Sequence, residues 1–199
     1  KSVKIVLSGV GAAGNAIARL LTLDGASNII GFNINGVIHH EMQSDDAMQQ
    51  WFIEHSNPHG FKGSIGEAMV GADIFIGVSA PNVLTEADVA SMAKGSIVFA
   101  LANPDPEIDP VIARKYATVV ATGRSDQPNQ INNVLAFPGI FRGLLDANAN
   151  KISDQMLLAA AAAISECVSP DQLNTSFIVP SVFDPNVVKA VAAAVKKSV

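Results

Sequence analysis

The chain has 199 residues, of which 49% are apolar and 16% charged, and its formal net charge is −5. This length suits one domain with a sizeable core, and the apolar fraction excludes a disordered chain. The net negative charge and the lack of a basic stripe argue against nucleic-acid binding, and the longest apolar run, 156–164, is far short of the roughly 20 residues that span a bilayer.

Cysteine content and targeting signals indicate the cellular compartment in which a protein works. Cys167 is the only cysteine, so no internal disulfide can form. No secretory signal pattern is present, and the default expectation is a cytoplasmic protein without a membrane partner. The sequence begins Lys1-Ser2-Val3 without a methionine and enters a predicted strand at once, so we expect an earlier part of the protein to be missing from it.

Residues 3–33 predict a strand, a tight turn, a helix and a second strand. The apolar run Val3–Ser8 ends in a glycine cluster, and apolar residues from Ile17 to Leu21 then recur at helical spacing. Gly25 is expected to close this helix, and Asn28–Phe32 is the next apolar run. Two parallel strands joined by a helix form a βαβ unit.

Helices and strands continue to alternate to residue 121. The predicted helices are Asp45–His55 with Ser44 as N-cap, Gly66–Val70, and Thr85–Met92 with Thr85 as N-cap. The predicted strands are Ile74–Val78, Ile97–Leu101 and Thr118–Ala121. This alternation predicts an α/β fold with a doubly wound, mostly parallel sheet.

The last third of the chain is predicted to be helical. The segments are Val134–Ala147, interrupted by Pro138, then Ile152–Cys167 and Pro185–Lys197. Ala159–Ala163 suits a helix in close contact with another helix. No repeat or linker indicates a domain boundary, so one domain over residues 1–199 is expected.

The turn after the first strand fits the pattern GxGxxG, as Gly9-Val10-Gly11-Ala12-Ala13-Gly14. It lies between a strand and a helix, where the first glycine permits the turn, the second lets the backbone approach a pyrophosphate, and the third lets helix and strand pack closely. The pattern favours a Rossmann-like dinucleotide-binding domain. A merely structural turn and a methyltransferase remain as alternatives.

The end of the second strand should carry an acid that binds the adenine ribose. Asn33 occupies that place, and its amide oxygen can still accept a bond from a ribose hydroxyl. A neutral residue does not repel a 2′-phosphate, yet no Arg or Lys stands nearby to attract one. The residues leave NAD versus NADP open, and the missing cation favours NAD.

Three later segments are more specific than the glycine turn: 77–85, 99–107 and 123–139. They read Gly-Val-Ser-Ala-Pro-Asn-Val-Leu-Thr, Phe-Ala-Leu-Ala-Asn-Pro-Asp-Pro-Glu, and a stretch from Gly123 to Gly139 that contains Asn-Gln-Ile-Asn-Asn-Val. Together they resemble the malic enzymes, most closely the compact bacterial type. The resemblance runs to residues 178–185, and the Asn-Gln-x-Asn-Asn-Val block at 129–134 is its strongest marker.

The resemblance implies a role for each matching position. Those matching the pyrophosphate loop and the rest of the cofactor site are Gly9, Gly11, Ala12, Ala13, Gly14, Asn33, Val78, Ser79, Ala80 and Asn103. Those matching the substrate side are Asn103, Asn132 and Asn133. Asn33 departs from the family, which usually has Asp there, and this weakens any inference about cofactor preference.

The chemistry of the asparagines agrees with these roles. An amide offers a donor to a carboxylate or hydroxyl without adding a charge that would repel a dicarboxylate. Asparagine is also common in turns and caps, so a structural role for Asn103 or Asn133 stays open.

The resemblance implies oxidative decarboxylation of malate to pyruvate and CO2 with reduction of NAD(P), in a homodimer or larger homo-oligomer. The catalytic Tyr and Lys and the acidic ligands of Mg2+ or Mn2+ lie upstream of the glycine turn in the family. No catalytic or metal-binding residue is therefore expected in this sequence, and the 199 residues alone should be inactive. A malolactic reaction, another NAD-dependent dehydrogenase and a non-catalytic nucleotide-binding module are the alternatives.

The remaining charged and titratable residues favour ordinary roles. Arg124 and Asp126 are expected to form a surface or loop-bracing pair, although they lie just before the asparagine block. Tyr116 is not expected to be catalytic. The four histidines lack metal-ligand spacing and are expected at the surface: His39, His40, His55 and His59.

Overall fold

The computed structural model describes residues 3–199. Lys1 and Ser2, on which the expectation of a missing earlier part rests, lie outside the described residues. The chain divides into two compact units, one ending at Pro128 and the other spanning Asn129–Val199. No helix within residues 3–199 is both long and apolar enough to cross a membrane.

The first unit is built on a six-stranded sheet with the order β3-β2-β1-β4-β5-β6. The strands are β1 (Lys4–Ser8), β2 (Asn28–Asn33), β3 (Gly36–Val37), β4 (Ile74–Gly77), β5 (Ile97–Ala100) and β6 (Val119–Thr122). All neighbouring pairs are parallel except β2 and β3. The predicted mostly parallel sheet is confirmed, while the two-residue strand β3 escaped prediction because it is too short to show a pattern.

Five helices connect these strands. They are α1 (Ala12–Leu23), α2 (Ala47–His55), α3 (Ile65–Met69), α4 (Glu86–Ala90) and α5 (Pro110–Ala113). Thr85 caps α4 as predicted, because its side chain accepts from the Asp88 N–H while the Asp88 carboxylate accepts from the Thr85 N–H at 2.7 Å. The single turn α5 was not predicted.

The predicted cap of α2 is wrong by two residues. The N-cap is Asp46, whose Oδ1 accepts from the Met48 and Gln49 N–H groups at 2.8 and 3.1 Å. Ser44 instead accepts from the Asp46 N–H and donates to the Gln49 side chain. Because the sequence Ser44-Asp45-Asp46 offers three good capping side chains in a row, the sequence alone did not fix the first turn.

Apolar side chains cover both faces of the sheet. In β1, Val6 belongs to one buried cluster, and Ile5 and Leu7 belong to the other. Phe75 of β4 joins the first cluster and Phe52 of α2 joins the second. Strands buried on both faces carry near-continuous apolar runs, which is why these runs were readable in the sequence.

The second unit contains three helices around one apolar cluster. They are α6 (Phe137–Asp146), α7 (Asp154–Glu166) and α8 (Pro185–Lys197), preceded by a 3-10 turn at Asn133–Leu135. Pro138 lies in the first turn of α6, which begins at Phe137, so it does not interrupt this helix. A Cβ at Gly139 would lie 2.5 Å from Val191 Cβ, which shows how closely α6 approaches α8.

Candidate dinucleotide-binding site

The carboxyl ends of β1 and β4 lie side by side in the middle of the sheet of the first unit. From β1 the chain continues to β2 on one side, and from β4 it continues to β5 on the other. The Val78 N–H donates to the Ser8 carbonyl at 2.9 Å and the Gly9 N–H donates to the Phe32 carbonyl at 2.9 Å. Ligands of doubly wound sheets bind in the crevice at such a reversal of strand order.

Two glycines of the predicted loop are required by the backbone itself. Gly9 has a φ of 101°, and a Cβ there would lie 2.6 Å from the Val78 carbonyl oxygen. A Cβ at Gly14 would overlap the carbonyl oxygen of Gly9. The first glycine therefore permits the turn and the third permits close packing of α1, as the sequence predicted.

Of the three glycines in the loop, Gly11 is the one whose Cβ position faces open space. Nothing lies within 4 Å of the position that its Cβ would take, and Gly11, Ala12 and Ala13 are exposed. Gly11 caps α1 without a side-chain bond, and the first turn of this helix carries no acidic residue. The N–H groups and the positive end of this 12-residue helix therefore face solvent, and no acidic side chain of its own first turn competes for them.

Two adjoining cavities lie at the carboxyl ends of these strands. One, of about 350 Å3, is lined by Gly9, Val10, Gly11, Ala12, Ala13, Asn33, Ile34 and Val78. The other, of about 550 Å3, is lined by Ser8, Gly9, Phe32, Asn33, Ile34, Gly36, Gly63, Ser64, Ile65, Ser79, Ala80 and Val83. Both volumes are typical of small-molecule sites, and none of these described lining residues is charged. Eight of the ten predicted cofactor residues are thus brought together, with Gly14 packed beneath the loop.

Asn33 ends β2 and contributes to both cavities. Its Oδ1 accepts from the Asn35 N–H at 2.8 Å within the turn between β2 and β3. The amide oxygen that we expected to bind a ribose hydroxyl is therefore already an acceptor in a local turn. Ile34 follows it with a side chain that is 99% exposed.

The loop after β4 depends on a carboxylate to which sequence patterns gave no role. Ser79 donates its N–H to Glu107 Oε1 at 2.9 Å, and its Oγ lies 2.8 Å from Ser8 Oγ. Glu107 is wholly buried, with an exposed fraction of 0%. Glu107 ends the segment 99–107 that resembles the malic enzymes. Its local pattern, an acid after two prolines and before an apolar residue, is too common at turns to assign it a role.

Asn103, by contrast, is not brought into either cavity. It is exposed, in the loop after β5, and is absent from the described lining residues. A substrate or cofactor contact for Asn103 stays a prediction.

The asparagines of the 129–134 block belong to the second unit and mostly have structural partners there. Asn129 is buried, donates to the Thr175 carbonyl at 2.8 Å and accepts from the Ile178 N–H at 3.0 Å. Asn132 caps the 3-10 turn through its Oδ1, which accepts from the Val134 N–H at 3.0 Å. Asn133 is exposed. The strongest sequence marker therefore includes residues that hold the local fold, and the substrate roles of Asn132 and Asn133 stay predictions.

The expected loop pair is present, since Arg124 Nη2 lies 2.6 Å from Asp126 Oδ2. Among the four histidines, His40, His55 and His59 are exposed, while His39 is half-buried and so departs from the predicted surface position. Within residues 3–199, no group of three or more histidine, cysteine or acidic side chains is arranged to hold a metal ion.

Tyr116 is exposed and donates its hydroxyl to Glu86 Oε1 at 2.8 Å. This hydrogen bond to the carboxylate raises the pKa of Tyr116 above its ordinary value. The bond contributes to stability below the unfolded pKa of tyrosine, and the contribution is lost as pH rises through the higher folded pKa.

We expect Glu86→Gln to lower the pKa of Tyr116 towards about 10, the value of an isolated tyrosine. Tyr116 is the only tyrosine of the sequence, so titrating tyrosinate absorbance of the 199-residue chain measures it directly. Asp88→Asn, on the same helix, is the control and should leave the titration unchanged. An identical titration of the Glu86→Gln variant would contradict the hydrogen bond.

Three features define a dinucleotide-binding domain of the doubly wound class: a glycine loop at the reversal of strand order, a helix N-terminus without a side-chain cap, and two cavities without charged lining residues. Residues 1–199 match the family described as malic enzyme, NAD binding domain, and the chain belongs to this family.

The chain is similar to malic enzymes along almost its full length. It is 51% identical to an NAD-dependent malic enzyme of Geobacillus stearothermophilus over 98% of this chain and 41% of that protein. It is 46% identical to a bifunctional malic/malolactic enzyme of Bacillus subtilis over 99% of this chain and 48% of that protein. The crystal structure of an NAD-dependent malic enzyme from Thermotoga maritima matches with a TM-score of 0.90 and 40% identity, over 98% of this chain and 51% of that one.

These matches confirm the predicted family and the Rossmann-like α/β fold. The chain spans about half the length of each of these three relatives.

Proposed function

We propose that this chain provides the nicotinamide dinucleotide site of an enzyme that oxidises and decarboxylates malate to pyruvate and CO2. The observation that carries the proposal is the glycine loop at the strand-order reversal, in a chain that is 51% identical to an NAD-dependent malic enzyme. In this proposal, residues 1–199 form the family's cofactor-binding domain. The protein is cytoplasmic and acts as a homodimer or larger homo-oligomer.

The residues fit a dinucleotide. The pyrophosphate would be held by the backbone of Gly9, Gly11, Ala12 and Ala13, because a side chain at Gly11 would enter the open space that the ligand needs. The 550 Å3 cavity, lined by Ile65 and Val83 among others, would take the uncharged adenosine. A dinucleotide held by this loop would supply the hydride acceptor for oxidation of the carbon that bears the malate hydroxyl.

Asparagine side chains would contact the substrate. We propose that Asn103, Asn132 and Asn133 donate amide N–H groups to the malate carboxylates or hydroxyl, which orients the dicarboxylate without repelling it. The proton transfers and the divalent cation, Mg2+ or Mn2+, would be provided by residues outside this sequence. The length of the relatives, roughly twice that of the chain, supports this division.

We propose NAD as the preferred cofactor, although the family includes both NAD-dependent and NADP-dependent enzymes. The ribose would meet Asn33, whose Oδ1 already accepts from the Asn35 N–H, so the amide nitrogen is the group expected to reach the ribose hydroxyl. No charged side chain lines either cavity among the described residues, so a 2′-phosphate would lack a cationic partner.

The experiment that tests the proposed function uses the protein from the complete reading frame. Reduction of NAD and of NADP is followed with malate and Mn2+, and with the cation removed by a chelator. The proposal predicts reduction that requires both malate and the cation, with pyruvate as the product. A folded protein that binds neither dinucleotide would contradict it. The 199 residues alone are expected to bind dinucleotide and to show no turnover.

A malolactic reaction is the second candidate, favoured by the name of the Bacillus subtilis relative. It would convert malate to lactate and CO2 without net reduction of the dinucleotide. Product analysis separates the two: pyruvate with stoichiometric reduced cofactor supports the first proposal, and lactate without it supports the second.

We expect Ile34→Arg to shift the cofactor preference towards NADP. Ile34 lines both cavities, lies next to Asn33 and is 99% exposed, so a long side chain fits without repacking. A guanidinium beside the ribose would bind a 2′-phosphate through charge-assisted hydrogen bonds. We expect NADP affinity to rise by about tenfold, which corresponds to roughly 1.4 kcal/mol, with NAD affinity little changed.

Calorimetric titration with each dinucleotide measures this shift. Ile34→Gln is the matched control, since it adds a long polar side chain without charge and should leave the NADP to NAD ratio near that of the wild type. An unchanged ratio in the arginine variant would place the ribose elsewhere.

A further inference from the structure

Glu107 is a buried carboxylate surrounded by hydrogen-bond donors. Its Oε1 accepts from the Ser79 N–H at 2.9 Å and from the Ser79 hydroxyl at 3.3 Å, and its Oε2 accepts from the Ala102 N–H at 3.0 Å. The residue has an exposed fraction of 0%. A buried charged group is costly unless it is hydrogen-bonded, and here each oxygen has a backbone partner in a different loop.

Main-chain carbonyl groups at and before Glu107 also accept hydrogen bonds from the loop after β4. The Glu107 carbonyl accepts from the Leu84 N–H at 3.0 Å, and the preceding carbonyl accepts from the Asn82 N–H at 3.2 Å. The side chain packs over Gly77, where a Cβ would overlap the Glu107 carboxyl group. The loop after β4 is thus fixed by Glu107 at its beginning and at its end.

The hydrogen bonds of Glu107 and Ser79 reach the carboxyl ends of three neighbouring strands. Ser79 follows β4 and lines the 550 Å3 cavity, and Ala102 follows β5 and precedes Asn103. Ser79 Oγ also lies 2.8 Å from Ser8 Oγ at the end of β1. One carboxylate therefore connects β4 and β5 directly, and connects β1 through a pair of hydroxyl groups.

We propose that Glu107 is a positioning residue of the dinucleotide site. It sets the position of the Ser79-Ala80 wall of the cavity relative to the glycine loop, and the position of the segment that leads to Asn103. The inference rests on the proposed function, because it concerns the same cavity. Stability alone does not account for the residue, since well-packed apolar side chains often replace buried charged groups without loss of stability.

The test compares Glu107→Gln with Glu86→Gln in the protein from the complete reading frame. Glutamine keeps the size of Glu107, but one of its terminal atoms becomes an NH2 donor that faces a backbone N–H. Glu86 is an exposed carboxylate on α4, outside both cavities, and serves as the matched control. The NAD dissociation constant is measured by calorimetry, the melting temperature by thermal unfolding, and KM and kcat by steady-state kinetics.

We expect Glu107→Gln to raise the NAD dissociation constant and the KM for NAD by about tenfold, the effect of losing a charge-assisted hydrogen bond. The change in kcat should be smaller, and Glu86→Gln should match the wild type in NAD affinity, in KM for NAD and in kcat. A lowered melting temperature with unchanged NAD affinity would show a merely structural role and overturn the inference.

Ser79→Ala provides a second test of the positioning role if Glu107→Gln does not fold. It removes the hydroxyl that contacts Ser8 Oγ at 2.8 Å and Glu107 Oε1 at 3.3 Å, and leaves the Ser79 N–H bond in place. We expect an increase in the NAD dissociation constant of about threefold from the loss of these two side-chain hydrogen bonds. Unchanged affinity in that variant would overturn the inference. A wild-type protein that binds no dinucleotide would instead contradict the proposed function, and the inference would fall with it.

Discussion

Gly9→Ala is expected to destabilise the first unit by about 2–4 kcal/mol and to abolish dinucleotide binding. Two costs combine at this residue. Its φ of 101° lies where an L side chain is strained, and the new Cβ would lie 2.6 Å from the Val78 carbonyl oxygen and 2.8 Å from its carbon. Backbone atoms of the neighbouring strand end cannot rotate away as a flexible side chain can. Relief requires that the loops after β1 and β4 separate, which widens the site itself.

Gly25→Ala separates the two costs, because Gly25 has the same φ of 101° and nothing within 4 Å of its ideal Cβ. It should lose only the torsional part, about 1–2 kcal/mol, and should keep dinucleotide affinity. Urea unfolding followed by circular dichroism gives the free energy of unfolding for both variants. Equal losses at the two positions would show that the close contact with Val78 is not a constraint on the loop.

The central part of the fold was predictable because several independent signals agree there. The run Val3–Ser8, the glycine turn and the run Asn28–Phe32 each specify their own structure, and together they leave only a βαβ unit. The strands are buried on both faces, so their apolar runs show in the sequence without ambiguity. The position of the site followed from the same unit, since the loop of a doubly wound sheet lies at its carboxyl edge.

What escaped prediction depends on contacts between segments far apart in the chain. Glu107 acts on Ser79, 28 residues away, and no local pattern announces that bond. Asn129 braces Thr175 and Ile178, more than 40 residues away, so a residue of the strongest family marker is explained by local architecture of the second unit. The prediction of the N-cap of α2 was wrong for a local reason. Three adjacent side chains, Ser44, Asp45 and Asp46, can each cap a helix, and the sequence does not show which one does.

Gly11→Ala is expected to have the reverse effect of Gly9→Ala: the fold survives and the ligand is lost. Gly11 has an ordinary extended backbone with φ of −107°, and its Cβ would meet nothing within 4 Å. The free energy of unfolding should change by about 1 kcal/mol or less, the usual effect of alanine at a helix N-cap. The added methyl group would occupy the space through which a pyrophosphate reaches the N–H groups of α1.

We expect the NAD dissociation constant of Gly11→Ala to rise by about 100-fold, or roughly 2.7 kcal/mol, as measured by calorimetry. Ala16→Ser is the control, because it adds one atom to an exposed position of the same helix outside both cavities. Retained affinity in Gly11→Ala would show that the pyrophosphate does not bind at this loop. Loss of affinity at Gly11 with a stable fold, beside loss of the fold at Gly9, would distinguish a glycine needed by the ligand from one needed by the chain.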